Sequence, residues 1–340
     1  MPMQYFETNE VFDLELGGSL CGLQIAYTTY GKLNELKNNV VWICHALTAN
    51  SDPMEWWPSF INGNEAFNIS DNLIICANIL GSCYGTTGPL TINRDTGTPY
   101  YRAFPMITIR DMVKAHQLLA IHLGIEKIEL LIGSSMGGYQ ALEWSLIAPE
   151  MINKLFLIAT SAKETPWGIA IHTAQRLAIE SDSSFTSNSI DAGKDGLKAA
   201  RAFGMITYRS FASFELLQSD KTNDKTDDFK VSSYIRYQGE KLVERFNAYS
   251  YWTLSKSMDS HNIARGRNKD IETVLKTISQ HTLVIGITSD ILCPTSEQKC
   301  ISNNIPFATY KEMDSIYGHD GFLVEGKLIH DLLANWLQAK

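Results

Sequence analysis

No stretch of the 340-residue sequence approaches 18 uninterrupted apolar residues, so no segment is a candidate for a membrane-crossing helix. The N-terminus, MPMQYFETNEVFDLELGG, lacks a basic region followed by an apolar run, and a cytoplasmic location is expected. Basic residues are outnumbered. With 29 Lys and Arg against 37 Asp and Glu, the net charge is −8, which argues against nucleic acid or an anionic membrane as the main partner. Locally clustered cations can still hold an anionic small molecule. The six cysteines, Cys21, Cys44, Cys76, Cys83, Cys293 and Cys300, form no C-x-x-C and mostly lie in or beside apolar runs. Buried free thiols are therefore expected, rather than disulfides or a metal site. Neither an internal repeat nor a low-complexity segment is found. What remains, 44% hydrophobic and 19% charged, suits a chain that buries one large core plus an insertion.

The sequence has two textures. Up to residue 162, short β-rich runs alternate with helical patterns: NNVVWICHAL (38–47), NLIICANILG (72–81), TIRDMVKAHQLLAIHLGI (108–125), KIELLIG (127–133) and INKLFLIAT (152–160). Continuous apolar runs separated by helices predict a parallel sheet covered on both faces. From 163 to 274 the pattern turns helical, in HTAQRLAIES, GLKAARAFGMITYRSFASFELL and YIRYQGEKLVERFNAYSYWTLSKSMD, with QSDKTNDKTDDFK (218–230) as a polar exposed loop. Strand-like runs return in HTLVIGITSD (281–290) and FATYKEMD (307–314), closed by the helix DGFLVEGKLIHDLLANWLQA. The expected architecture is an α/β core built from 1–162 and 275–340, interrupted by an inserted helical block at 163–274.

Within LLIGSSMGGYQALEW (130–144), Gly133-Ser134-Ser135-Met136-Gly137 matches G-x-S-x-G at a strand-to-helix junction. The flanking glycines permit a sharp turn that holds the Ser135 hydroxyl at the start of a helix, where the dipole and free N–H groups favour an oxyanion. Ser134, one residue earlier, should point elsewhere and fill space. On pattern alone the stretch also fits an ordinary tight turn.

A serine nucleophile needs a base and an orienting acid, and in this arrangement they follow the serine in the order acid, histidine. Asp290 ends the strand TLVIGITSD, and His319 lies in the loop SIYGHDGF after the last strand. Strand-end acids and loop histidines converge on the edge of an open α/β sheet where ligands bind. His116, His122, His172, His261, His281 and His330 are assigned packing or surface roles. His45, in CHALTAN, is read as structural support for a loop whose Leu47 N–H, together with the Met136 N–H, would bind the oxyanion.

These residues, with AYTTYGKLN (26–34), GSCYGTTGP (81–89), FPMITIRDMV (104–113), TSDILCPTSEQ (288–298) and GHDGFL (318–323), resemble the homoserine O-acetyltransferases of the α/β-hydrolase superfamily. The blocks span nearly the whole chain. The resemblance implies an α/β-hydrolase fold with an inserted helical cap. It also implies ping-pong transfer of an acetyl group from acetyl-CoA, through Ser135, to the γ-hydroxyl of L-homoserine in methionine biosynthesis. His319 would act as base and acid in turn, and Asp290 would hold its tautomer. Acetyl-CoA would be a co-substrate, with no resident cofactor or metal. Arg201 in KAARAFGMITY matches the arginine that binds the amino-acid substrate, and Asp320 matches the aspartate that does so, with a helix N-cap as its other reading. The cap would form a narrow tunnel and a homodimer contact, and Arg209, Arg236 and Arg265 could meet CoA phosphates at the tunnel mouth. Met205 stands where the family commonly has histidine, and Asn247 where it commonly has aspartate. Leu292 replaces the arginine of the succinyl-CoA branch, which favours acetyl. L-Serine as acceptor, succinyl transfer and plain ester hydrolysis stay open as alternatives.

Overall fold

Apolar side chains alternate between two layers along the central strands, and this alternation organises the molecule. The computed structural model describes residues 2–61 and 68–339. Its strands are β1 (Gln4–Asp13), β2 (Ser19–Tyr30), β3 (Val40–Cys44), β4 (Leu73–Ala77), β5 (Ile128–Ser134), β6 (Ile152–Ile158), β7 (His281–Ile287) and β8 (Ala308–Met313). They form one eight-stranded sheet in the order β1-β2-β4-β3-β5-β6-β7-β8. The pairs β1–β2 and β2–β4 are antiparallel, and every pair from β4–β3 onward is parallel.

The described helices are α1 (Pro53–Trp56), α2 (Pro58–Ile61), α3 (Ile109–His122), α4 (Met136–Ile147), α5 (Pro166–Ser181), α6 (Lys194–Tyr208), α7 (Phe211–Gln218), α8 (Lys230–Val243), α9 (Ala248–Asp259), α10 (Ile271–Leu275), α11 (Thr295–Asn304), α12 (Gly321–Val324) and α13 (Gly326–Gln338). On one sheet face Trp42, Ile75, Leu131, Leu155 and Val284 pack with Met112 and Leu119 of α3 and Trp144 of α4. On the other, Val41, Ile74, Leu130, Phe156 and Leu283 pack with Phe60 of α2 and with Ile329 and Leu333 of α13. Strands with both faces covered have no polar side to show, so they read as continuous apolar runs. Helix α3 starts sharply because Thr108 and Asp111 form a reciprocal capping box. All of α5 to α10 lie between β6 and β7. Among the described residues, no helix is long and apolar enough to cross a membrane.

The α/β fold class is as expected, with differences of detail. The N-terminal hairpin β1–β2 was not singled out. The helical stretch read from Tyr234 is divided into α8 and α9, because Asn247 caps a new helix by accepting from the Ser250 N–H. Asparagine at that position keeps the oxygen that an aspartate cap would supply. The C-terminal helical stretch is likewise split, at Glu325. All six cysteines are free, but only Cys44, Cys76 and Cys293 are buried, and Cys21 on β2 is exposed.

Candidate active site

The chain passes from β5 to α4 through Ser135, whose φ of 51° and ψ of −125° place a non-glycine residue in strained backbone. Its glycine neighbours permit the approach. A Cβ on Gly133 would lie 2.4 Å from the Gly137 carbonyl oxygen, and one on Gly137 would lie 2.0 Å from that of Cys44. The strained residue is bonded on both sides: Ser135 N–H donates to Ile158 O (3.1 Å), and Ser135 O accepts from Thr160 Oγ1 (2.8 Å) and Gly138 N–H (2.8 Å). Ser134 Oγ, by contrast, is fully buried and makes no hydrogen bond among the described residues.

The close contact of Gly137 with Cys44 brings the loop after β3 against the start of α4. Among the described residues, neither the N–H of Leu47, in the loop after β3, nor that of Met136, at the start of α4, makes a loop, turn or cap bond to a backbone carbonyl. His45 stiffens this loop. Its Nε2 accepts from Ile79 N–H (3.2 Å), so Nδ1 carries the proton and donates to Ala46 O (2.8 Å). Burial lowers its pKa to about 4, which keeps the ring neutral and suits it to support rather than chemistry.

Asp290 lies just beyond the end of β7 rather than on the strand. Its Oδ1 accepts from the Leu292 and Cys293 N–H groups (2.8 and 2.9 Å), leaving Oδ2 for His319 Nδ1 at 2.6 Å. His319 Nε2 lies 2.9 Å from Ser135 Oγ. The two loops are tied together by Ser289 Oγ, which accepts from Gly318 N–H (3.0 Å) and donates to Ser315 O. Burial pulls the His319 pKa down, but the charge and hydrogen bond of Asp290 outweigh it and hold the imidazole above its ordinary value. Serine, imidazole and carboxylate thus form one hydrogen-bonded chain able to move a proton from a hydroxyl.

A cavity of about 310 Å³ lies over Ser135, and Leu47, Arg201, Tyr208, Leu292, His319 and Asp320 all line it. Arg201, on α6, has its guanidinium carbon 5.5 Å from the Tyr208 ring centroid, and its buried Nε has no hydrogen-bond partner among the described residues. Asp320 stands at the N-cap position of α12 but makes no capping bond. It instead meets Arg209 Nε at 2.9 Å. Burial raises its pKa, against the pull of Arg209, Arg201 and His319. Arg209 therefore backs Asp320 through this ion pair and does not itself line the cavity. Arg265 is held by Glu15 (3.0 and 2.9 Å), and Arg236 is exposed on α8 outside the cavity lining.

Sequence reasoning missed His172, which lines the same cavity. Its Nδ1 bonds Asp259 Oδ1 (2.9 Å), and the other carboxylate oxygen of Asp259 bonds Arg176 (2.6 Å). The one-turn spacing of His172 and Arg176 on α5 is the only local signal that they share a partner. Lys241 and Arg245, also lining the cavity, were missed as well.

The family model of the alpha/beta hydrolase fold matches residues 39–325. A homoserine O-acetyltransferase of Cyclobacterium marinum is 47% identical over 336 residues, covering 99% of this chain and 95% of its own. The crystal structure of a homoserine O-acetyltransferase from Bacillus anthracis superposes with a TM-score of 0.91 at 22% identity, covering 100% of this chain and 98% of that one. An acetylester hydrolase from Corynebacterium glutamicum superposes with a TM-score of 0.88, also at 22% identity, over 99% and 96% of the two chains. At that identity the two structures speak for the fold alone, which transferases and ester hydrolases share. Identity of nearly one half along almost the full length goes further, and by it the chain belongs to the homoserine O-acetyltransferase family of the α/β hydrolases.

Proposed function

We propose that the protein transfers an acetyl group from acetyl-CoA to the γ-hydroxyl of L-homoserine through a Ser135 acyl-enzyme, giving O-acetyl-L-homoserine and CoA for methionine synthesis in the cytoplasm. The observation that carries this reading is the meeting, in one cavity, of Ser135 bonded to His319 with an arginine that has no ion-pair partner among the described residues and a carboxylate, Arg201 and Asp320. In the first half-reaction His319 Nε2 takes the Ser135 proton as Oγ attacks the thioester carbonyl. The Leu47 and Met136 N–H groups would bind the oxyanion. Collapse breaks the C–S bond, and the leaving thiolate takes the proton from His319. In the second, His319 takes the proton of the homoserine hydroxyl as its oxygen attacks the acyl carbonyl, and collapse breaks the bond to Ser135 Oγ, which takes the proton back from His319. Asp290 keeps Nδ1 protonated throughout. Arg201 would hold the acceptor's carboxylate and Asp320 its ammonium.

The helices of 163–274 would act as a cap that keeps water from the acyl-enzyme. The reaction as proposed draws on no resident metal or cofactor. Exposed Phe203, Ile206, Phe211, Leu216, Phe229 and Tyr237 on or beside α6 to α8 suit a contact with a second copy, making a homodimer. Acetyl is favoured over succinyl because Leu292 packs with Ile171, Cys293 and Tyr208 in an apolar cluster and offers no charge of its own to a terminal carboxylate. The test is CoA release by purified protein with acetyl-CoA or succinyl-CoA against L-homoserine, L-serine or no acceptor. Acetyl-CoA with L-homoserine should be turned over fastest. Equal CoA release without an acceptor would make the protein an ester hydrolase.

A further inference from the structure

The proposed donor carries phosphates far from its acetyl group, so cations able to meet them should lie at the rim of the cavity and should not already be neutralised. Arg209, Arg176 and Arg265 fail this requirement, being paired with Asp320, Asp259 and Glu15. Lys241, in the last turn of α8, and Arg245, just after it, line the cavity and are both exposed. Neither has an ion-pair partner among the described residues. Arg245 Nη1 donates to Thr48 O (2.5 Å) and Tyr84 Oη (2.5 Å), which fixes the guanidinium and leaves its other N–H groups for a ligand.

Arg245 also lines a second cavity, of about 440 Å³, so it stands between the space over Ser135 and a neighbouring chamber. The lysine of that chamber, Lys194, is paired with Asp191 (2.6 Å). One carboxylate, Glu55, shares the rim with Lys241 and Arg245 and is bonded by Asn50 Nδ2 (2.7 Å). Around the cavity over Ser135, Lys241 and Arg245 thus outnumber Glu55 on a chain whose overall charge is −8, while Glu244 faces the second cavity.

Resting on the acetyl-CoA reading, we propose that Lys241 and Arg245 bind the phosphate groups of the acyl donor, with the pantetheine arm running from them to Ser135. A guanidinium held by two fixed acceptors is already ordered for a two-pronged contact with phosphate oxygens, and the lysine adds a mobile charge beside it.

The experiment compares acetyl-CoA with S-acetylpantetheine, which has the same reacting end and no phosphate on it, using saturating L-homoserine and wild type, Lys241→Ala, Lys241→Glu and Arg245→Ala. Each alanine variant should lose about tenfold or more in kcat/KM for acetyl-CoA, with Lys241→Glu losing more, while S-acetylpantetheine changes by no more than about twofold. Added KCl should erode wild-type kcat/KM for acetyl-CoA more steeply than for S-acetylpantetheine. Equal losses with both donors, or no loss with either, overturn the assignment. If Arg245→Ala does not fold, the two Lys241 variants and the salt response decide. A wild type that prefers neither donor but transfers acetyl from both sinks the phosphate site alone. One that transfers acetyl from neither sinks the acetyl-CoA reading beneath it.

Discussion

Replacing Asp290 by asparagine should disable the serine through the tautomer of its base. The side chain has one oxygen to offer two sets of donors. In the native site Oδ1 accepts two backbone N–H groups, from Leu292 and Cys293, while Oδ2 accepts one, from His319 Nδ1. Two fixed backbone donors outweigh one ring that can change tautomer, so the asparagine oxygen stays with the loop and its NH₂ turns to His319. Nδ1 must then accept, the ring proton moves to Nε2, and Nε2 can no longer take a proton from Ser135 Oγ at 2.9 Å. A wrong tautomer of this kind costs on the order of 10⁴ in kcat in a serine triad, about 5.5 kcal/mol of barrier. Rapid-quench mass spectrometry of Ser135 acetylation by acetyl-CoA measures the step directly, and thermal melting checks that Asp290→Asn still folds. Acylation within about tenfold of wild type in a folded variant would refute the argument, since that is far less than a lost base requires.

Ser135→Ala should abolish the acetyl adduct seen by mass spectrometry with acetyl-CoA alone, while Ser134→Ala should retain it; labelling that survives in Ser135→Ala removes the serine from its role. Arg201→Ala should slow the second half-reaction or raise the homoserine KM by about tenfold or more, leaving Ser135 acetylation nearly unchanged, and equal damage to both half-reactions would move Arg201 out of acceptor binding. Leu292→Arg should raise the succinyl-to-acetyl ratio of kcat/KM, and a wild type that already prefers succinyl-CoA would contradict the apolar-cluster argument. His319 accepts a proton only when neutral, and its pKa lies above the ordinary 6.5, so kcat/KM for the donor should fall as pH drops through a limb above that value. Removing the Asp290 charge lowers the His319 pKa, and a limb that stays put in Asp290→Asn would assign it to another group.

The central strands were legible because burial on two faces leaves nothing but apolar residues, as in VVWIC of β3 and the buried end of β6. The hairpin β1–β2 was not. β1 lies at the sheet edge, where charged Glu7 and Glu10 are interspersed, and an irregularity between Thr8 and Val11 breaks the period-two register. At the site, the serine, aspartate and histidine could be found from motif, strand ends and order along the chain. Partners that neutralise a charge could not. Arg265 reads as a free surface cation until Glu15, 250 residues away, is seen against it. His172 reads as packing until α9 brings Asp259 to its ring.

The bond between Ser135 and His319 joins residues 184 positions apart, with the helices from α5 to α10 made between them. A ribosome adding about 5–20 residues per second needs roughly ten to forty seconds to bridge that gap. During this interval a nascent chain can hold the bent elbow but has no base to activate its serine. The same delay leaves β6 as the open margin of the sheet until β7 emerges, its apolar LFLI unpaired on one side. Demand for chaperones should therefore peak while the inserted helices are being translated, and ease once the strand that carries the chain to Asp290 docks.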